Sequence, residues 1–389
     1  MSVSASRNWN YPTAIRFGPG RIQELPEACA ALGMKRPLLV TDPGIAALPI
    51  LETALAANRL SGLPTGVFAE VDANPVGANV DAGVSAYRTG DHDGVIAMGG
   101  GSALDAAKAI ALMVGQDRPL WDFEDVGDNW TRVKPEGMAP VVAVPTTSGT
   151  GSEVGRASVI TDVETHTKKI IFHPRMLPEQ VICDPALTIG LPPKITAAVG
   201  MDALSHNLEA FCAPGNHPMA DGIALEGMRL IQRYLLTAVS EPDNIDARSA
   251  MMSASLMGAT AFQKGLGAMH SMAHVIGANL NAHHGLINAV VMPYVLCANR
   301  SAIAPQMQDL ARYLDLPDPG FMAVLDWVLA LRKALEIPHT LADLGVTPAH
   351  VATFAPAAVQ DPSTGSNPLP FGVDEFSKLF SQAIDGSLA

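Results

Sequence analysis

Apolar and polar positions change rhythm once along this chain. Through the first half, short apolar runs alternate with stretches of helical spacing. Residues 37–42, 94–98, 140–144 and 181–184 each read as a buried strand closed by Gly, Pro or Asp. Strands apolar on both faces, with helices between them, are what parallel βαβ units require. Leu191-Pro192-Pro193 then interrupts the chain, because two prolines remove two backbone donors and discourage helix. Beyond it strand signals nearly vanish. Residues 194–212, 218–238, 246–262 and 322–336 carry helical patterns rich in Ala, Leu and Met, and the Pro/Ser/Gly-rich stretch 361–370 reads as a loop between helices. The pattern predicts an α/β domain over 1–190 and an all-α domain over 191–389, with no internal repeat.

Composition narrows this reading only a little. The 389 residues exceed what one domain usually holds, and 48% hydrophobic with 16% charged residues suits large globular cores. A net charge of -13 argues against a nucleic-acid partner. Cys29, Cys183, Cys212 and Cys297 are scattered and form no C-x-x-C pair, so neither a disulfide framework nor a thiolate zinc site is expected. The N-terminus lacks the apolar core of a signal peptide, and no uninterrupted apolar run approaches the ~20 residues that span a bilayer. A cytoplasmic protein without a membrane partner is expected.

Chemistry concentrates in two places. In the first half, Gly99-Gly100-Gly101-Ser102 follows a strand at once and precedes a helix start at Ala103. Glycines admit close backbone approach, and the helix N-terminus offers unpaired N–H groups, so a pyrophosphate fits over Gly100 and Gly101; a ligand-free turn is the alternative. Pro145-Thr146-Thr147-Ser148-Gly149-Thr150-Gly151-Ser152-Glu153 is a second polar turn after a strand, read either as a cofactor loop or as a hydroxyl-rich cap. Asp42 ends the first strong strand. It suits ribose hydroxyls and hence NAD over NADP, or it caps the helix at Pro43.

The second place is dense in histidine. Asp202 and His206 lie four apart, so they share a helix face, and His270 and His274 repeat that spacing. His283 and His284 follow. A carboxylate with imidazoles suits Fe(II), Zn(II), Mn(II) or Ni(II), and the absence of H-E-x-x-H disfavours a zincin protease. Spacing alone does not separate ligand from proton relay among these six side chains.

Taken together, Gly99-Gly100-Gly101-Ser102 with Asp105 and Lys108, residues 145–153, Asp184-Pro185, residues 200–206 and residues 270–293 resemble the iron-containing (group III) alcohol dehydrogenase family over most of the chain. The resemblance implies an N-terminal Rossmann-like domain and a helical C-terminal domain, a dehydroquinate synthase-like architecture with cofactor and metal in the cleft between them. It makes 1–190 the dinucleotide-binding domain and 191–389 the metal-binding one. It implies Asp202, His206, His270 and His284 as metal ligands and His274 as a non-ligating group near the reacting carbon. Asp42, Asn74, Gly101, Ser102, Thr146, Thr147 and Lys168 match cofactor contacts; His283 receives no role. Departures are a shorter loop over 262–267, Val275 where proline is frequent, and small Ala157 and Ser158 beside the pocket.

The implied reaction is reversible hydride transfer between a small primary alcohol and NAD at one divalent metal, iron(II) ahead of zinc(II), in a homodimer. The metal acts as Lewis acid and His274 passes the proton. An edge strand over residues 9–17 could support the dimer. Lys264 suggests an alternative substrate, an ω-hydroxy acid of the 4-hydroxybutyrate type, if it anchors a carboxylate rather than capping a turn. A dehydroquinate synthase-like lyase and a non-catalytic dinucleotide binder are the readings from other classes.

Overall fold

The computed structural model describes residues 7–9 and 13–388, which form two compact units. One comprises the residues up to Thr147 together with Gly151–Gly190; the other joins Ser148–Thr150 to the chain from Leu191 onward.

The first unit is built on nine strands: β1 Arg7–Trp9, β2 Ala14–Phe17, β3 Leu38–Val40, β4 Gly66–Phe68, β5 Val95–Gly99, β6 Val141–Pro145, β7 Ala157–Asp162, β8 Thr167–Phe172 and β9 Gln180–Cys183. Seven of them make one sheet in the order β1-β2-β9-β6-β5-β3-β4, parallel except for β1 against β2. Helices α1 Leu25–Ala31, α2 Pro43–Ala46, α3 Pro49–Leu60, α4 Gly77–Thr89 and α5 Gly101–Met113 supply the intervening segments. Every residue of β3, β5 and β6 is buried, which is why these strands read as continuous apolar runs. In the register of β5 with β6, Gly99 stands opposite Pro145, so the glycine turn and the hydroxyl-rich turn leave the sheet at one level.

Three features depart from the sequence pattern. Residues 9–17 do not form one edge strand: β1 and β2 pair antiparallel, and residues 10–12 lie outside the described residues. Strand β4 is only three residues long, too short for a periodic signal. Strands β7 and β8 form an antiparallel hairpin in which only β7 alternates buried and part-exposed residues, and Ser, Thr and Lys dilute the signal.

A buried charge holds that hairpin to α5. Lys108 is 1% exposed and donates from Nζ to the carbonyl oxygens of Ser152 at 2.9 Å, Gly155 at 3.5 Å and Ala157. Asp105, one turn earlier, accepts from the Ser152 hydroxyl and from the Val159 N–H at 2.9 Å, and lies 3.4 Å from the ammonium. Burial of an unpaired charge is costly, whereas this cation is surrounded by acceptors.

Glu153 lies in the same segment, is 1% exposed, and its Oε1 has no hydrogen-bond partner. Burial pushes its carboxyl up to about 7, against the pull of Lys108. The folded protein therefore holds this proton more tightly than the unfolded chain. Its stabilising contribution is complete below the ordinary glutamate range and is lost as pH rises through about 7. Glu153→Gln is expected to melt close to the wild-type temperature at pH 4 and above it at pH 8, by the equivalent of about 3 kcal/mol. Scanning calorimetry at the two values checks this; an equal difference at both removes the explanation.

The second unit is helical: α6 Pro193–Cys212, α7 Pro218–Ser240, α8 Ile245–Ala261, α9 Ala268–Leu280, α10 His284–Tyr313, α11 Phe321–Ala334, α12 Pro348–Gln360 and α13 Val373–Asp385. Helix α6 is the core element, with residues 196–212 entirely buried against α7, α8 and α10. Asn281, at φ 51°, closes α9, and His283 accepts from the Leu286 N–H to open α10, leaving Asn281, Ala282 and His283 between the two helices. Helix α10 is long and apolar enough to cross a membrane, but 67% of its apolar window is buried in the unit, as a core helix requires. Gly285 lets α10 approach α6: a Cβ there would stand 2.5 Å from the Ala198 carbonyl oxygen and 2.9 Å from the Asp202 Cβ.

Candidate metal and cofactor sites

The first turn of α5 is where the sequence places the expected phosphate contacts. Gly99, at φ 148°, cannot be replaced without strain, since a Cβ would sit 2.6 Å from that of Ala103. No side chain caps α5 at Gly100, so the leading N–H groups of Gly101 and Ser102 remain for an anion. Around them the structure gathers three of the expected cofactor residues. Ser102 Oγ donates to the Ala73 carbonyl at 2.5 Å, and Lys168 Nζ on β8 donates to Asn74 Oδ1 at 2.9 Å. Thr161 N–H to the Pro75 carbonyl ties the same loop to the hairpin.

Asp42 does cap α2, accepting the Ile45 N–H on Oδ1 at 3.0 Å, while a Cβ at Gly99 would stand 3.4 Å from its Oδ2. The cap and a ribose contact are thus compatible on different oxygens. Thr147 lies against Gly100, and Thr146 is buried with its hydroxyl oxygen unpartnered.

In the helical unit, Asp202 and His206 project from α6, His270 from the first turn of α9 and His284 from the first residue of α10. One ligand atom from each falls within 4.8 Å of all the others. Around a single ion with bonds of ~2.1 Å, ligand atoms lie up to ~4.2 Å apart, so small shifts suffice to close the set. Asp202, His206 and His270 are buried and His284 is half-buried.

Two of the three imidazoles are set by their other nitrogen. His206 Nδ1 lies 3.3 Å from the Gly149 carbonyl, and burial drives its pKa down to about 4, so it is neutral and its Nε2 lone pair is available. His270 Nδ1 donates to Glu209 Oε2 at 2.6 Å. Burial by itself lowers a histidine, but the Glu209 carboxylate outweighs it and holds His270 above its usual value. Glu209 Oε1 also accepts the Met269 N–H at 2.8 Å, so one carboxylate both caps α9 and aims His270.

His274 stands apart from the ligand set. Its Nδ1 is 2.8 Å from Asp361 Oδ2, and its ring stacks on His284 with centroids 5.4 Å apart. Asp361 Oδ1 accepts the Ser363 N–H. Against the upward push of burial, His274 holds the Asp361 carboxyl below the ordinary range. His283 is exposed and serves as the α10 cap. Lys264 is not free to anchor a carboxylate: Nζ lies 2.6 Å from Asp221 Oδ1 and 3.2 Å from the Phe211 carbonyl, with the side chain 6% exposed. The carboxylate-anchor role suggested for Lys264 is therefore withdrawn.

Sequence reasoning missed Glu209, Asn288 and Asp361. Glu209 follows His206 by three residues and Asn288 follows His284 by four, so helical spacing held a signal for both. Asp361 is 87 residues from His274 and had none.

Comparison with known proteins points to a class, the oxidoreductases that act on alcohols. The model of the iron-containing alcohol dehydrogenases matches residues 12–185, and that of the Fe-containing alcohol dehydrogenase C-terminal region matches 196–384. A 4-hydroxybutyrate dehydrogenase from Cupriavidus necator is 38% identical, the match covering 96% of this chain and 99% of that protein. The crystal structure of a 1,3-propanediol oxidoreductase superposes with a TM-score of 0.91 at 34% identity, over 99% of this chain and 100% of the other. A sulfoacetaldehyde reductase from Bifidobacterium kashiwanohense, solved in complex with NAD+, gives 0.86 at 30%, over 96% and 98%. The chain belongs to the iron-containing alcohol dehydrogenase family, and it is an NAD-linked alcohol dehydrogenase.

Asp361→Asn is expected to lower turnover by about 100-fold, because His274 loses the anion that fixes its tautomer, while metal content stays at the wild-type level. Steady-state rates paired with metal analysis check this. Unchanged turnover would mean that the pair is structural.

Proposed function

We propose that Asp202, His206, His270 and His284 hold one divalent metal, iron(II) in the native enzyme, and that the unit containing β1–β9 binds NAD. The substrate is a small primary alcohol or the matching aldehyde. When bound, the metal supplies Lewis acidity toward the alcohol or carbonyl oxygen, and NAD accepts or returns the hydride. The observation that carries the reading is the convergence of one carboxylate and three imidazoles within 4.8 Å in the interior of a helical unit.

The chain's own groups divide the remaining work. Gly100, Gly101 and Ser102 at the start of α5 meet the diphosphate with backbone N–H groups. Lys168 and Asn74 form a polar edge beside them, Thr146 and Thr147 add hydroxyls, and Asp42 Oδ2 faces the ribose. Glu209 holds His270 so that Nε2 points to the ligand set, and neutral His206 contributes its lone pair. His274, oriented by Asp361, receives the alcohol proton and passes it outward.

A second substrate reading is favoured by one observation, the 38% identity to a 4-hydroxybutyrate dehydrogenase. An ω-hydroxy acid would then be oxidised at its alcohol end, with a group other than Lys264 receiving the carboxylate. The four thiols are unpaired, as suits a reducing cytoplasm, and β1 at the sheet edge suits a homodimer.

Anaerobically purified protein is expected to carry a single equivalent of iron per chain and to oxidise 1-butanol or 4-hydroxybutyrate with NAD, losing activity in air. His206→Ala should lose metal and activity together, by more than the ~100-fold that loss of an outer partner costs, with NAD affinity retained in calorimetry. Full activity of that variant in metal-free buffer would overturn the ligand assignment. The ratio of kcat/KM on the two alcohols decides between the substrates.

A further inference from the structure

Asn288 lies one turn after His284 on α10 and is fully buried. Its Nδ2 is 2.9 Å from Asp202 Oδ1, 3.2 Å from His284 Nε2 and 3.4 Å from His270 Nε2. Three of the four ligand atoms, from three different helices, thus fall within reach of one amide nitrogen. Its Oδ1 has no partner. The orientation follows from chemistry: an amide oxygen in that place would face a carboxylate oxygen and imidazole lone pairs with nothing to donate.

The fourth ligand, His206, is anchored separately through Gly149. His270 has committed its Nδ1 hydrogen to Glu209, so its Nε2 can only accept unless it is protonated. The amide brings two hydrogens to three acceptors. These acceptors would repel one another in the absence of a cation, and the Asn288 amide is the donor that meets Asp202 Oδ1.

We propose that Asn288 is a positioning residue that pre-assembles the metal site: its amide holds Asp202, His270 and His284 together before a cation arrives and keeps Asp202 oriented afterwards. The inference rests on the reading of these residues as a metal site. An arriving ion takes the single lone pair of each imidazole Nε2 from the amide, while the Asp202 carboxylate has lone pairs enough to keep its bond to Asn288, and an outer partner of that kind typically contributes ~10–100-fold to metal affinity. Without the amide, the carboxylate and imidazoles separate, and binding must first bring three helices' side chains back together.

Cobalt(II) is a suitable probe, since its visible absorption reports coordination geometry and competition with a chelator gives its affinity. Wild-type protein, stripped of metal, is expected to bind Co2+ with an absorption band typical of a nitrogen–oxygen site. Asn288→Leu should weaken Co2+ by about 10–100-fold and change the band, because it keeps the volume and removes the donor. Asn288→Asp keeps the shape but sets an anion among acceptors, so its metal-free form should melt below wild type and gain more on adding Co2+. Wild-type Co2+ affinity and spectrum in the Leu variant would overturn the proposal, even with a lowered melting temperature. Should that variant not fold, wild-type behaviour of the Asp variant would overturn it equally. Failure of wild-type protein to bind Co2+ would sink the metal reading itself, and this inference with it.

Discussion

Four acceptor atoms, one carboxylate oxygen and three imidazole nitrogens, are forced together inside the helical unit, and the surrounding structure is organised around tolerating that. An apolar interior strongly disfavours unpaired acceptors. Three of them are restrained from a second side: His206 by a backbone carbonyl, His270 by Glu209, Asp202 by Asn288. The approach of α10 to α6 that brings His284 near Asp202 depends on the missing side chain of Gly285. A cation at the shared focus would turn mutual repulsion into common coordination, the condition under which this packing becomes favourable.

The other unit solves a different electrostatic problem with similar means. At the start of α5 the leading backbone N–H groups have no side-chain cap, and Gly99 and Gly100 keep the space before them clear, an arrangement that suits an anion. The hairpin of β7 and β8 is held beside that region by Lys108, whose ammonium is engaged by two carbonyl oxygens of the connecting segment and by that of Ala157 at the start of β7. Lys168 reaches Asn74 because the hairpin is held there. A fully buried cation thus serves geometry, while a part-buried one reaches the loop at Asn74.

Much of this was readable from the residues. Strands β3, β5, β6 and β9 announced themselves because burial on both faces leaves uninterrupted Val, Ile, Leu and Ala. The helices α6, α7, α8 and α11 kept their period. Helix α10 was harder, since Pro293 and Pro305 interrupt its pattern, yet both are accommodated inside one continuous helix. The hairpin was hidden because one of its faces is part-exposed and rich in Thr and Lys. In the site, the six candidate chemical side chains were visible as residue types, four of them in pairs at helical spacing and two adjacent. Their partners were not, because a Glu, Asn or Asp that aims an imidazole looks like any other polar residue until the fold brings it within about 3 Å. Lys264 shows the converse: a lysine near a proposed ligand invites a role, and only its ion pair with Asp221 shows that the charge is already engaged.

The junction between α9 and α10 carries a consequence for how this chain can vary. His270 and His284 sit on consecutive helices separated by Asn281, Ala282 and His283, the first of them in a left-handed conformation that fixes the change of direction. Adding or deleting a residue inside either flanking turn would rotate the rest of that helix by about 100° and shift it by about 1.5 Å, enough to carry an imidazole off the shared focus. A change of length at this junction would therefore cost the ligand geometry, whereas one in a loop that joins no two ligand-bearing helices would leave it in place.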